Sequence, residues 1–193
     1  MIQFAMSDRG GGANNESQEL SWPELIGFMA QLRMQLEQVK PRVYPMTAPH
    51  VGANPEQLVR AEQRLRHPLD PVYWEFLTYA NGWPDYFQDV RLLGTEELGR
   101  GQLWDRGQQL LNTYFEDGPA SPPDFPPRTD LELIAVGTET IDIHVLWITG
   151  PVTDGGHPIL WLAGEEIDRW ANFHEYFRSI YAYLERALER ARR

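Results

Sequence analysis

Thr140-Ile141-Asp142-Ile143-His144-Val145-Leu146-Trp147-Ile148-Thr149 is the stretch on which the fold turns. Ile141, Ile143, Val145 and Trp147 alternate with Asp142 and His144, the two-residue period of a strand with one buried and one wet face. Upstream, Leu131 to Val136 is a second β-rich run, and downstream Pro158-Ile159-Leu160-Trp161-Leu162 is a third. Gly150 to Gly156 reads as a turn, and the short gaps force neighbouring strands to lie antiparallel. Asp89-Val90-Arg91-Leu92-Leu93 adds a short strand ahead of them, and Thr95-Glu96-Glu97-Leu98 a helical turn. The sequence thus predicts an antiparallel meander.

Helices surround this meander. Ser21-Trp22-Pro23-Glu24 is a capping box that opens a helix, and Leu25, Phe28, Met29, Leu32, Leu36 and Val39 follow as its apolar stripe. Pro41 and Pro45 stop it. Asn54-Pro55 and Asp70-Pro71 are two further cap-plus-proline starts, with Leu58, Ala61 and Leu65 on one helix and Tyr73, Phe76, Leu77 and Ala80 on the next. Asn81-Gly82 reads as the left-handed stop of the latter. Residues 102 to 115 form a helix carrying Leu103, Leu110, Leu111 and Tyr114. A last helix, from about Ala171 to Arg192, has Phe173, Tyr176, Phe177, Ile180, Leu184 and Leu188 as its stripe. The stretch from Asp117 to Arg128 holds five prolines and reads as an exposed loop. The expected class is α+β, an antiparallel β-sheet meander covered on one side by helices, with an N-terminal helical extension.

Composition narrows the function. The chain has 193 residues, 42% hydrophobic and 12% aromatic, enough for a core without cross-links. It contains no cysteine, which excludes a disulfide scaffold, a thiol enzyme, an iron–sulfur protein and any cysteine-based zinc module. The longest nearly apolar run, Ile141 to Ile148, is broken by Asp142 and His144 and is too short to span a bilayer. Residues 1 to 19 read as a flexible tail without the basic and apolar regions of a secretory signal, so a cytoplasmic protein is expected. Charge is uneven: Asp85 to Asp168 carries 16 acidic and 4 basic side chains, a net of −12 within an overall −11. Such a region repels nucleic acid and steers toward a basic partner.

Chemistry-bearing motifs are scarce. No His-x-x-x-His pair, Gly-x-Ser-x-Gly elbow or phosphate-binding glycine loop occurs. Asp142 and His144 on one strand face, with His157 near the next strand, make the one candidate metal set. Glu96-Glu97 and Glu165-Glu166 read as solvated turn acids, because neighbours in sequence do not face each other across a cleft. Trp83-Pro84-Asp85-Tyr86-Phe87-Gln88-Asp89 mixes aromatics with acids, the make-up of a hot spot for a basic partner.

The order of these signals resembles the SUKH superfamily, the Smi/Knr cell-wall-assembly-regulator-like group that includes many bacterial immunity proteins. The resemblance is carried by Glu56-Gln57-Leu58-Val59-Arg60-Ala61-Glu62-Gln63-Arg64-Leu65, Pro68-Leu69, Tyr73-Trp74-Glu75-Phe76-Leu77 and Asn81-Gly82-Trp83. Leu92-Leu93 with Glu96-Glu97-Leu98, the three strands and the terminal helix complete it. Departures are Arg66-His67 where the family usually has a glycine, the proline-rich loop 117–128, and the helix at 21–39. The resemblance implies a single domain over 20–193, with 20–50 as an extension and 51–188 as the family-like core. It implies no catalysis and no cofactor, but binding and occlusion of a cognate toxin with a basic surface. Asp85, Tyr86, Asp89, Glu96, Glu97, Glu116 and Asp117 are the expected contacts. A regulatory scaffold of the Smi/Knr type is the alternative, and a hydrolase using Asp142, His144 and His157 a third.

Overall fold

The computed structural model describes residues 20–117 and 124–193; the expected tail at 1–19 lies outside them, as does the stretch 118–123 of the proline-rich loop. Helix α1 spans Trp22–Val39 and opens as its sequence dictates, with the Glu24 carboxylate accepting from the Ser21 amide at 2.9 Å and hydroxyl at 2.6 Å. Helices α2 (Pro55–Leu65) and α3 (Pro71–Tyr79) start at Asn54 and Asp70. Asn54 Oδ1 accepts from the Gln57 amide, and Asp70 Oδ1 accepts from the Val72 and Tyr73 amides, each at 3.0 Å. Strands β1 (Trp83–Phe87) and β2 (Val90–Leu92) follow, then α4 (Gln102–Asp117). Strands β3 (Leu131–Gly137), β4 (Ile143–Trp147), β5 (Ile159–Leu162) and β6 (Glu166–Trp170) lead into α5 (Phe173–Ala191).

The six strands form one antiparallel sheet in the order of the sequence, β1 to β6, so the meander stands. Its covering differs from the expected one. Along β3 every residue is buried, which requires layers on both faces. On one face α4 lies against β3, where a Cβ on Gly107 would come within 2.6 Å of Leu133 Cδ1 and 2.7 Å of Val136 Cγ2. On the other lie α1, α3 and α5, whose Trp22, Tyr73, Phe76, Phe173 and Phe177 pack ring against ring. The polar side of the 140–149 stretch is therefore not wet. His144 is fully buried against Tyr176, and Ile141, assigned to the buried side, precedes β4 and is exposed.

Strong curvature seats α5 in the hollow of that second face. Phe87 on β1 and Trp161 on β5 are four ladder steps apart, which is about 19 Å across a flat sheet. Their ring centroids lie 5.5 Å apart, and each also touches Tyr183 of α5. The sheet curls around α5. Asn81-Gly82 does not cap α3, which ends at Tyr79 with Ala80 already extended. These two residues instead form a corner against the chain leaving β2: Asn81 Oδ1 accepts from the Thr95 amide at 2.7 Å. Gly82, at φ +85°, lies so close to the Gly94 backbone that a Cβ would sit 2.6 Å from its nitrogen. Among the described residues, no helix is long and apolar enough to cross a membrane.

Candidate functional site

Two of the acids expected to meet a partner, Asp89 and Glu97, are tied into the fold. Asp89, at the β1–β2 turn, accepts from the Glu139 and Thr140 amides at 2.8 and 2.9 Å and from the Thr140 hydroxyl at 3.2 Å. Burial pushes its carboxyl up, but these hydrogen bonds outweigh it and hold the group below the usual carboxylate range. Glu97 pairs with Arg91 at 2.8 Å and accepts from the Gly94 amide at 3.0 Å. Glu96 is exposed and pairs with Arg100 one turn on. Asp85 is half-buried on β1, at a left-handed φ of +46°. Tyr86, expected as a contact, is fully buried between Trp83, Tyr176 and Phe177 and offers a partner no surface. The bulge in β1 turns it into the curl of the sheet.

Glu116 stands exposed on the last turn of α4; Asp117 ends that helix, and its side chain lies outside the described residues. Beside Glu116 is a cluster that the sequence reading passed over. Tyr114, Phe115 and Phe125 pack mutually, with ring centroids 5.5 to 5.8 Å apart. Tyr114 closes the cluster toward the core, whereas Phe115 and Phe125 stay half-exposed. Exposed Glu116 and Asp124 adjoin Phe115 and Phe125 along the chain, and exposed Glu165 and half-buried Glu166 act on Tyr114. Burial first, then the charges of Glu166 and Glu165, raise the Tyr114 hydroxyl above its ordinary value, so these carboxylates face the ring. Arg169, which would offset them, lies over the Trp147 ring at 5.8 Å and gives both guanidinium arms to Glu166 at 2.7 and 2.8 Å. The signal in the sequence is Tyr114-Phe115-Glu116-Asp117 with Phe125, the same aromatic-and-acid mixture as 83–89.

The arginines of the acidic region leave most of its charge unanswered. Arg91 and Arg100 are paired as above; Arg106 donates to the Gly137 and Thr140 carbonyls at 2.9 and 2.8 Å, and Arg128 to Asn112 and Gln108. The set Asp142, His144 and His157 does not come together. Asp142 accepts from Trp161 Nε1 at 2.6 Å, His144 Nδ1 lies 2.6 Å from the Tyr176 hydroxyl, and His157 Nδ1 lies 2.9 Å from Asp70. Burial takes His144 down to about 3, so it is neutral at any ordinary pH. Among the described residues no group of three His, Asp or Glu side chains is placed to hold a metal ion. Set against known proteins, the chain matches no family model and no curated sequence.

Proposed function

We propose that the chain is a non-enzymatic protein-binding module that docks a basic protein against its acidic face. In this reading it neutralises a cognate toxin by stoichiometric occlusion, as the resemblance to immunity proteins of the SUKH superfamily implies. The observation that supports it is the Tyr114–Phe115–Phe125 cluster, which Glu116 and Asp124 adjoin along the chain and on which Glu165 and Glu166 act through Tyr114. Aromatic anchors inside a charged rim are the make-up of an interface hot spot, and the rim charge sets on-rate and partner sign. A surface of this sign repels phosphate backbones.

The test needs the partner first: tagged pull-down from cells that carry the protein's own genomic neighbourhood, followed by calorimetry with the purified partner. Phe115→Ala should weaken binding at least tenfold. Glu116→Lys with Glu165→Lys should flatten its salt dependence as well. A partner that binds these variants as tightly as the wild type overturns the reading. Asp89 and Glu97 are poor probes, because their reversal strips hydrogen bonds from backbone amides inside the fold.

A further inference from the structure

One cleft runs against the charge of the rest of the molecule. It lies where the end of α2 meets the start of α4 and of β3, and Arg64, His67, Trp104, Gln108, Thr129 and Glu132 line it. Its volume is about 310 Å³. In a chain of net charge −11, Arg64 and His67 stand here against one carboxylate, Glu132, which His67 already neutralises at 2.7 Å. Arg64 has no carboxylate partner among the described residues. Its Nε donates to the Leu98 carbonyl at 2.9 Å and its Nη2 to the Thr95 carbonyl, while Nη1 keeps its hydrogens. Burial first, then the charge of Arg100, hold its guanidinium below the ordinary arginine range; Glu96 offsets this and Arg60 adds to it.

Acceptors around the cleft are engaged, and donors are left over. The Gln108 side-chain oxygen accepts from Arg128, which leaves the Gln108 amide nitrogen to donate. Neighbouring acids face other groups. Glu62 accepts from the Leu69 amide at 3.1 Å, Asp130 accepts from the Thr129 and Thr149 hydroxyls, and Asp105 is exposed. At His67 and Ile148 the cleft meets a second hollow of about 350 Å³, walled by Pro68, Leu69, Pro71 and Leu146. The one carboxylate there, Asp70, is taken up by His157 and by the first amides of α3. One hollow thus offers donors under a positive charge, and the other an apolar wall.

We propose that these two hollows bind a small organic acid, its carboxylate on Arg64 and the Gln108 amide and its apolar body along Leu69, Pro71, Leu146 and Ile148. Hollows of a few hundred Å³, mostly apolar with a few convergent polar groups, are the usual form of a small-molecule site. The planar fork of arginine matches a carboxylate, and one net positive charge matches a monoanion rather than a phosphate dianion. The site stands apart from the acidic docking face. Trp104 and Phe115 are 11 residues apart on α4, about 16 Å along the helix. The inference does not rest on the protein-binding reading.

The probe is phenylacetate, titrated into the isotope-labelled full chain and followed at the Gln108 side-chain amide, the Arg64 Nε–H and the Trp104 indole. All three should shift saturably, and neutral phenylacetamide should bind at least tenfold more weakly. Gln108→Glu keeps the acceptor for Arg128 but turns the donor into a carboxylate. It should keep the fold by circular dichroism and weaken phenylacetate at least tenfold. Arg64→Lys, which keeps the charge and loses the fork, should weaken it at least threefold. Shifts that do not saturate, full-strength binding by Gln108→Glu, or inorganic phosphate binding as tightly as phenylacetate overturn the inference. So does a short peptide with a free C-terminal phenylalanine that binds at least tenfold tighter than phenylacetate, because the site then belongs to a protein chain end. None of these outcomes bears on the acidic-face reading, since Phe115→Ala and Glu116→Lys report on the far end of α4.

Discussion

His67 and His144 hold their protons in opposite ways, and each is set by its neighbours. His67 Nε2 lies 2.7 Å from buried Glu132, and its Nδ1 lies 2.9 Å from the Pro68 carbonyl, so both nitrogens donate and the ring is an imidazolium. The hydrogen bond to Glu132 raises it to about 9. Stability from this pair is complete below the unfolded value near 6.5 and is lost as pH rises through 9. For His144 the sign reverses: with a folded value of about 3, its contribution is complete above 6.5 and is lost as pH falls toward 3. Urea melts across pH should therefore show stability declining on both sides of about 6.5, by at most about 1.4 kcal/mol per unit for each group. His67→Gln should flatten the alkaline limb; a limb that persists unchanged assigns it elsewhere. His67→Ala strands the Glu132 carboxylate, 5% exposed, and should cost about 2 kcal/mol in the same melts. Neither role was legible in the sequence. His67 stood in a helix break and His144 on what read as a wet strand face, and both pairings are made between residues distant along the chain.

Helix starts were legible because their chemistry is local. Asn54 and Asp70 each precede a proline and place a side-chain oxygen on amides two or three residues on. Asn54→Ala should lower stability by about 1 kcal/mol, read from thermal melts, with no change elsewhere in the fold. Strands β1 and β6 were not read as strands for a physical reason. Both lie at sheet edges, where proline, irregular backbone and charge guard against unwanted pairing, and those residues imitate a loop. The sequence Glu166-Ile167-Asp168-Arg169-Trp170 is such a case. Gly107 is the converse. In mid-helix it costs about 1 kcal/mol relative to alanine, yet alanine there would press its Cβ on Leu133 and on the stiff Val136 in a filled core. Gly107→Ala should therefore destabilise by about 1–3 kcal/mol; a gain in melting temperature would mean that α4 sits more loosely on the sheet.

At the scale of the molecule, one buried cluster runs from Trp22 in α1 to Leu188 in α5, so the N-terminal helix belongs to the same core as the sheet. The meander could be read from its short connections, but the second covering layer could not, since the alternation of 141–147 describes a sheet with a bare face. The docking face was legible only in part. Net charge located the region and Glu116, while the half-exposed Phe115 and Phe125 come together only in the folded chain. Charge reversal there should leave melting temperature within a few degrees, because Glu116 and Glu165 are exposed. The curl of the sheet around α5 carries a last consequence, for synthesis. The ribosome delivers all six strands before Phe173, Tyr176 and Phe177, the rings on which the concave face closes. That face stays uncovered until the 19 residues of α5 have been made and released. A chain stalled before residue 173 is thus an open aromatic trough with a bare strand edge. It is a client for chaperones and a seed for aggregation, whatever the stability of the finished protein.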